Sequence, residues 1–177
     1  MRCDDEATFM RLIVLTGASG SGKTAIARAV QTRHADRVDA FFFDSIGIPS
    51  RQQMVEEFGS AEEWQRVKTS EWMARIAGTT HPRPNVLFEG QTRISFLNEA
   101  IAASGLRDCR IVLVDCDDRT RRQRLTHDRV QPDLANPEMM LWAEFLRNEA
   151  QRHGCEIIDT SSVPIDACVE RILRYLI

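Results

Sequence analysis

One local order of residues limits what this chain can fold into. Gly17, Ala18, Ser19, Gly20, Ser21, Gly22, Lys23 and Thr24 lie between an apolar run at 11–16 and a run of good helix formers at 25–31. They spell G-x-x-x-x-G-K-[ST], in the strand, glycine loop, helix order that a phosphate-binding loop requires. Such a loop turns its backbone N–H groups inward, and together with the helix N-terminus it surrounds phosphate groups. Lys23 would reach the outer two phosphates of a nucleotide, and the Thr24 hydroxyl would ligate Mg²⁺.

Strand and helix signals keep alternating beyond the loop. Residues 38–43 predict a second strand, stopped by Asp44, Ser45, Ile46, Gly47, Ile48 and Pro49. Ser50 with Gln53, and Ser60 with Glu63, read as capping boxes, so helices are expected to start near 51 and 61. The second helix carries Trp64, Val67 and Trp72 on roughly one face. Aromatics so spaced are read as core or packing residues rather than as a base-stacking site.

Two prolines mark 78–85 as a loop. A third strand is expected at 86–89, a helix at 94–103 and a fourth strand at 110–115, followed by a helix capped by Asp117 and running to about Thr126. Asn136 and Pro137 form an N-cap with proline at the first helical position. That helix should run to Arg152 with Met140, Leu141, Trp142, Phe145 and Leu146 on its apolar face. A fifth strand at 155–159 and a closing helix at 165–176 complete the pattern. The expected fold is α/β: a three-layer, five-stranded parallel sheet with helices on both faces and a lid, as one domain over residues 1–177.

Composition removes several function classes. The net charge of −3 and pI near 5.8 argue against a polyanion-binding surface, so nucleic acid is not expected as a partner. No run approaches the length of apolar residues that spans a bilayer, and the acidic start at 1–6 predicts no secretory signal. The five cysteines, Cys3, Cys109, Cys116, Cys155 and Cys168, show no C-x-x-C spacing and read as reduced packing thiols of a cytoplasmic protein. His34, His81, His127 and His153 are scattered, which disfavours a zinc site.

In an open parallel sheet, ligands gather at the carboxyl ends of the strands. Asp44, Glu89, Asp115 and Asp159 stand at four of the expected ends. Asp44 could orient or deprotonate a substrate hydroxyl, or simply cap a turn. Glu89 could hold Mg²⁺ through water, with Gly90 letting a ligand approach the backbone, or be satisfied by local N–H groups. Asp115 and Asp159 read as caps or loop anchors.

Arg93 could grip an anionic group on an acceptor, or face solvent. Arg119, Arg121, Arg122, Arg124 and Arg129 form a dense positive segment. On a mobile lid, arginines stabilise the charge that phosphoryl transfer spreads over oxygen, and Arg124 and Arg129 are the first candidates. The competing reading is solvated surface charge.

These residues resemble the P-loop small-molecule and nucleoside monophosphate kinases. The phosphate loop matches fully. Residues 87–93 look like the strand-three motif Asp-Gly-Phe-Pro-Arg, with Glu89 in the acid's place and Arg93 in the substrate-binding arginine's. Residues 124–132 look like the lid, with a flavour of shikimate kinase, and Asp44 is similar to the acceptor-site aspartate of shikimate kinase and chloramphenicol phosphotransferase. Residues 158–162 resemble the loop near adenine. Three departures stand out: Glu for Asp at 89, Gln91 and Thr92 for Phe-Pro, and lid arginines five apart instead of four.

The resemblance implies an ATP- and Mg²⁺-dependent phosphotransferase acting on a small-molecule hydroxyl, monomeric or homodimeric. The acceptor site would lie in an insert at about 45–85 and the lid at about 124–137. Lys23, Asp44, Arg124 and Arg129 would be catalytic, Asp44, Glu89 and Arg93 would bind the acceptor, and Thr24 and, via water, Glu89 would hold the metal. A nucleoside monophosphate kinase and a nucleotide-binding regulatory module are the alternatives.

Overall fold

The computed structural model describes residues 10–176. Cys3 and the acidic residues at 1–6 lie outside that range. Five strands, β1 (Arg11–Thr16), β2 (Val38–Phe42), β3 (Asn85–Gly90), β4 (Asp108–Asp115) and β5 (Glu156–Asp159), form one sheet in the order β2-β3-β1-β4-β5. Every neighbouring pair is parallel. Parallel neighbours need crossovers, and seven helices accompany them: α1 (Lys23–Arg33), α2 (Arg51–Phe58), α3 (Ala61–Gly78), α4 (Ile94–Ser104), α5 (Asp118–Gln123), α6 (Pro137–Arg152) and α7 (Ile165–Leu176).

Alternation along the strands divides the interior into two layers. Leu12 and Val14 of β1, Phe88 of β3 and Leu113 of β4 join residues of α3, α4 and α6 in one cluster. Ile13, Leu15, Leu87 and Val112 join Ile26 and Val30 of α1 and Ile172 of α7 in the other. Burial of each such side chain contributes about 1.5–3 kcal/mol. Trp64 and Trp72 sit in the first cluster, edge-on or tilted against Phe43 and Phe88 at 5.7 and 5.4 Å, as core residues.

Several elements differ from expectation for local reasons. Leu141 is 65% exposed because it lies off the stripe formed by Met140, Ala143, Leu146 and Ala150, which is the face that packs. Ser50 makes the full capping box with Gln53, whereas Ser60 accepts from the Glu63 N–H. The helix expected to reach about Thr126 is α-helical only to Gln123 and continues as a π-helical turn, Arg124–Asp128.

Crossover direction places the functional crevice. The chain leaves β1 into α1 on one face of the sheet and leaves β3 into α4 on the opposite face. The carboxyl ends of these adjacent strands therefore separate two diverging loops, which is where open α/β sheets bind ligands.

Candidate functional site

The glycine loop spans that crevice from its central strand. A Cβ on Gly17 would lie 2.2 Å from the Val114 carbonyl oxygen, so the loop's first turn packs on β4 at a distance only glycine permits. Three hydrogen bonds tie the loop side to the turn after β3, the Thr92 N–H donating to Thr16 Oγ1 at 3.2 Å among them. Thr16 Oγ1 donates to the Thr92 carbonyl at 2.5 Å, and Ser19 Oγ donates to Gln91 Oε1 at 3.0 Å.

Lys23 opens α1 at the centre of the site and is only 6% exposed. Its Nζ lies 3.5 Å from Glu89 Oε1, and the Thr24 hydroxyl donates to that same oxygen at 3.1 Å. Burial pushes the Lys23 ammonium below its ordinary value of 10.5, against the opposing pull of Glu89 and Asp44, while Arg129 acts in the same direction as burial. Glu89 is itself 5% exposed and faces cation and hydroxyl together, rather than being satisfied by local N–H groups.

The outer wall of the loop is made of arginines. Arg121 is fully buried; its Nη1 donates to the Ser19 carbonyl at 2.8 Å, and its Nη2 donates to Asp115 Oδ1 at 2.6 Å. Arg124, one helical turn on, donates to the Gly20, Ser21 and Thr160 carbonyls and to Thr160 Oγ1. The Thr160 hydroxyl also donates to the Ser21 carbonyl at 2.7 Å. Three successive loop carbonyls are thus held outward, which leaves the peptide N–H groups to the inside.

This wall revises two expectations. Asp115 caps no helix: its second oxygen accepts from Arg147 Nε at 2.7 Å, so it is the buried centre of a two-arginine network joining β4, α5 and α6. Asp117 caps α5 and Asp159 anchors its loop through Ser161, as expected. Arg124 was expected to close over the transferring group, but its guanidinium is engaged by the loop's outward carbonyls and Thr160. Arg121 stood in the sequence among five arginines, with its spacing of three from Arg124 as the only signal of a shared face.

A cavity of about 530 Å³ opens between the loop and the segment after α5. Gly22, Lys23 and Thr24 line its phosphate end, Val163, Ile165 and Cys168 its apolar end, and Arg28, Arg124 and Arg129 its flank. Arg129 is exposed, and its guanidinium makes no hydrogen bond or ion pair among the described residues. Its position explains the five-residue spacing from Arg124. The Arg129 N–H donates to the Arg124 carbonyl at 2.9 Å, a π-helical bond that absorbs the extra residue within one turn. Val130 then takes a left-handed φ of 52°, a strained state for a β-branched residue, where the chain leaves this turn.

Across the crevice, β2 and β3 carry a second shoulder. Phe42 pairs with Glu89 in register, and a 3₁₀ turn, Phe43–Ile46, follows with Asp44 exposed on it. The Asp44 carboxylate makes no hydrogen bond among the described residues, and it is close enough to raise the Lys23 pKa. Gly90 has a different reason from the one expected. A Cβ there would lie 2.7 Å from Phe43 Cβ, so the glycine makes room for the turn that carries Asp44, not for a ligand.

Arg93 is engaged at one edge of its guanidinium, while its Nε is buried without a hydrogen-bond partner among the described residues. Its guanidinium lies over Phe145, Trp142 and Phe96 at 4.8, 5.2 and 5.5 Å, and its Nη2 donates to Glu62 Oε2 at 3.0 Å. Gln65, unmarked in the sequence, donates to the Gln91 carbonyl at 2.9 Å and accepts from the Arg93 N–H at 3.3 Å. Glu149 of α6 accepts from the Ile94 N–H and the Ser95 hydroxyl, both at 2.7 Å, and so caps α4.

Two thiols touch this geometry as packing groups: Cys168 lines the cavity and Cys116 Sγ donates to the Gly20 carbonyl at 3.5 Å. Cys109, Cys116, Cys155 and Cys168 are free, and burial raises all four, Cys109 up to about 11, so they are not thiolates at neutral pH. No helix among the described residues is long and apolar enough to cross a membrane.

Known proteins share this architecture. The model of an AAA domain family matches residues 13–142, well over half of the chain. A nucleotide-binding protein of Rhodospirillum rubrum is 27% identical over 137 residues, covering 73% of this chain but only 35% of that protein. Among solved structures, shikimate kinase from Acinetobacter baumannii in complex with shikimate superposes with a TM-score of 0.62 at 16% identity, over 93% of this chain and 92% of that one. A gluconokinase from Sinorhizobium meliloti gives 0.58 at 17%, over 95% and 92%. Deoxyadenosine kinase from M. mycoides with bound dATP gives 0.59 at 12%, over 93% and 98%. At these identities the likeness is one of fold, and the fold is that of the P-loop kinases.

Proposed function

We propose, from the premise that this chain belongs to the AAA domain family and has a P-loop kinase-like fold, that it transfers the γ-phosphoryl group of ATP to a small-molecule hydroxyl. The observation that carries the reading is Asp44. It is an uncommitted carboxylate across the crevice from Lys23 and close enough to feel its charge. A loop that only bound nucleotide would have no use for an unpaired acid there.

The residues divide the work. Gly17 to Thr24 hold the phosphates through inward N–H groups, and Lys23 neutralises charge that develops on the transferring group. Asp44 accepts the hydroxyl proton as the acceptor oxygen bonds to the γ-phosphorus; the bond to the β–γ bridging oxygen breaks and ADP leaves. Arg129, free on the lid side of the cavity, turns toward the equatorial oxygens, and Arg93 borders the acceptor through its backbone and its Glu62 pair.

The donor set fits Mg²⁺. Thr24 Oγ1 and Glu89 Oε1 lie 3.1 Å apart beside the Lys23 ammonium, oxygen donors of the kind a small hard cation takes, and Glu89 would act through water. When bound, the ion would neutralise charge on the β and γ oxygens.

Incubating the protein with ATP and hydroxyl compounds, while following ADP and phosphorylated product by mass, tests the reading. Lys23→Ala should abolish transfer, and full phosphotransfer by that variant sinks the assignment. A second reading, a nucleotide-binding module without transfer, draws support from the name of the Rhodospirillum rubrum relative. It predicts ATP binding with no product from any compound.

A further inference from the structure

Resting on the nucleotide site of that reading, we propose that Ser19 reads the γ-phosphate: its hydroxyl leaves Gln91 for a γ-phosphate oxygen when ATP fills the loop, and so favours triphosphate over diphosphate. The nucleotide's direction in the site follows from the sheet. The cavity's apolar end is formed by Val163, Ile165 and Cys168, on the segment after β5 and on α7. β5 and β3 lie on opposite sides of β1. A base at the apolar end, with its phosphates along the loop, therefore sends its last phosphate toward β3, where Lys23 and Thr24 meet Glu89. Ser19 faces the same side, since its Oγ donates to Gln91 Oε1 in the turn after β3 at 3.0 Å.

Ser19, Ser21 and Thr24 carry the loop's hydroxyls. Ser21 is wholly buried, and Thr24 donates to Glu89. Ser19 is half-buried at the crevice, as is Gln91. A serine hydroxyl has one proton, so it donates to one acceptor at a time. Gln91 offers a neutral amide oxygen, whereas a phosphate offers a charged one, whose hydrogen bond is roughly twice as strong. The backbone around this hydroxyl is fixed on both sides. Arg121 Nη1 holds the Ser19 carbonyl at 2.8 Å, and Gln65 Nε2 holds the Gln91 carbonyl at 2.9 Å. Thr16 Oγ1 accepts from the Thr92 N–H and donates to the Thr92 carbonyl, which pins the turn to β1. The exchange of acceptors thus takes one side-chain rotation and moves no element. With ADP in the loop the proton stays on Gln91, and the serine adds nothing to binding.

Isothermal titration with the β,γ-imido analogue of ATP and with ADP, both with Mg²⁺, tests this. Ser19→Ala is expected to weaken binding of the analogue about fivefold and to leave ADP binding unchanged. Gln91→Met removes the competing acceptor, and is expected to strengthen binding of the analogue about threefold, again without effect on ADP. In the S19A/Q91M protein that gain should vanish. The ADP affinity reports in each variant that the loop is intact. An S19A protein with the wild-type ratio of the two affinities overturns the inference, whether both are kept or both fall together. A gain from Q91M that survives in the S19A background overturns it too. Either result leaves the phosphotransferase reading standing, because transfer is measured separately. A wild-type protein that binds neither nucleotide overturns both. Selective loss in S19A by a protein that phosphorylates no compound supports the inference and overturns the transfer reading alone.

Discussion

The Arg121 guanidinium, wholly enclosed, joins the Ser19 carbonyl of the phosphate loop to the Asp115 carboxylate at the end of β4, at 2.8 and 2.6 Å. A buried charge pair is costly to break from one side, because the remaining charge is left without its partner. Arg121→Met should therefore destabilise the fold by about 3–5 kcal/mol, softened where Arg147 still holds Asp115. Arg121→Lys keeps the charge but cannot reach both acceptors with a planar fork, and should cost about 1–3 kcal/mol. Urea denaturation measures both, and isothermal titration with ATP should show weakened binding even for the lysine variant, because the Ser19 carbonyl is no longer held outward.

Lys23 gives a pH signature. Burial lowers its pKa in the free protein, and bound phosphates raise it again. Affinity for ATP should be complete below the free protein's Lys23 pKa and fall as pH rises through it, with a midpoint below the ordinary 10.5. In that window the unfolded chain binds the extra proton, so the stability of the free protein rises with pH. Calorimetric titrations from neutral pH to about pH 10 should show the decline, and Lys23→Met should remove that step.

Two glycines separate the halves of the site. Gly17→Ala forces a methyl onto the Val114 carbonyl, a backbone atom that cannot give way, and should abolish ATP binding at a stability cost of about 1–3 kcal/mol. Gly90→Ala presses on Phe43 and displaces the turn bearing Asp44. It should leave ATP binding near wild type while transfer falls, which paired binding and turnover measurements distinguish.

Much of this is legible in the amino-acid sequence. The phosphate loop, the sheet with helices on both faces and the starts of α2, α3 and α6 follow from local signals: a motif with its context, capping residues and runs of apolar residues. What escaped depends on contacts distant in sequence. Asp115 and Arg121 are six apart, but Ser19 lies 102 residues from Arg121 and Arg147 lies 32 from Asp115. No periodicity announces such a network. The same is true of Gly90, whose reason is Phe43, and of Gln65, which touches two backbone groups of a different element. The π-helical turn was half visible, since a spacing of five between Arg124 and Arg129 has no place on one face of an α-helix.

The central claim is that Asp44 serves the acceptor and not the nucleotide, and Asp44→Asn tests it most directly. Exposed on a 3₁₀ turn, with a carboxylate that makes no hydrogen bond among the described residues, Asp44 can be changed without disturbing the core. With binding of ATP and transfer to a hydroxyl acceptor measured on one preparation, the variant should bind ATP as the wild type does and transfer about 10²–10⁴-fold more slowly. Wild-type transfer by the Asp44→Asn protein would contradict the account.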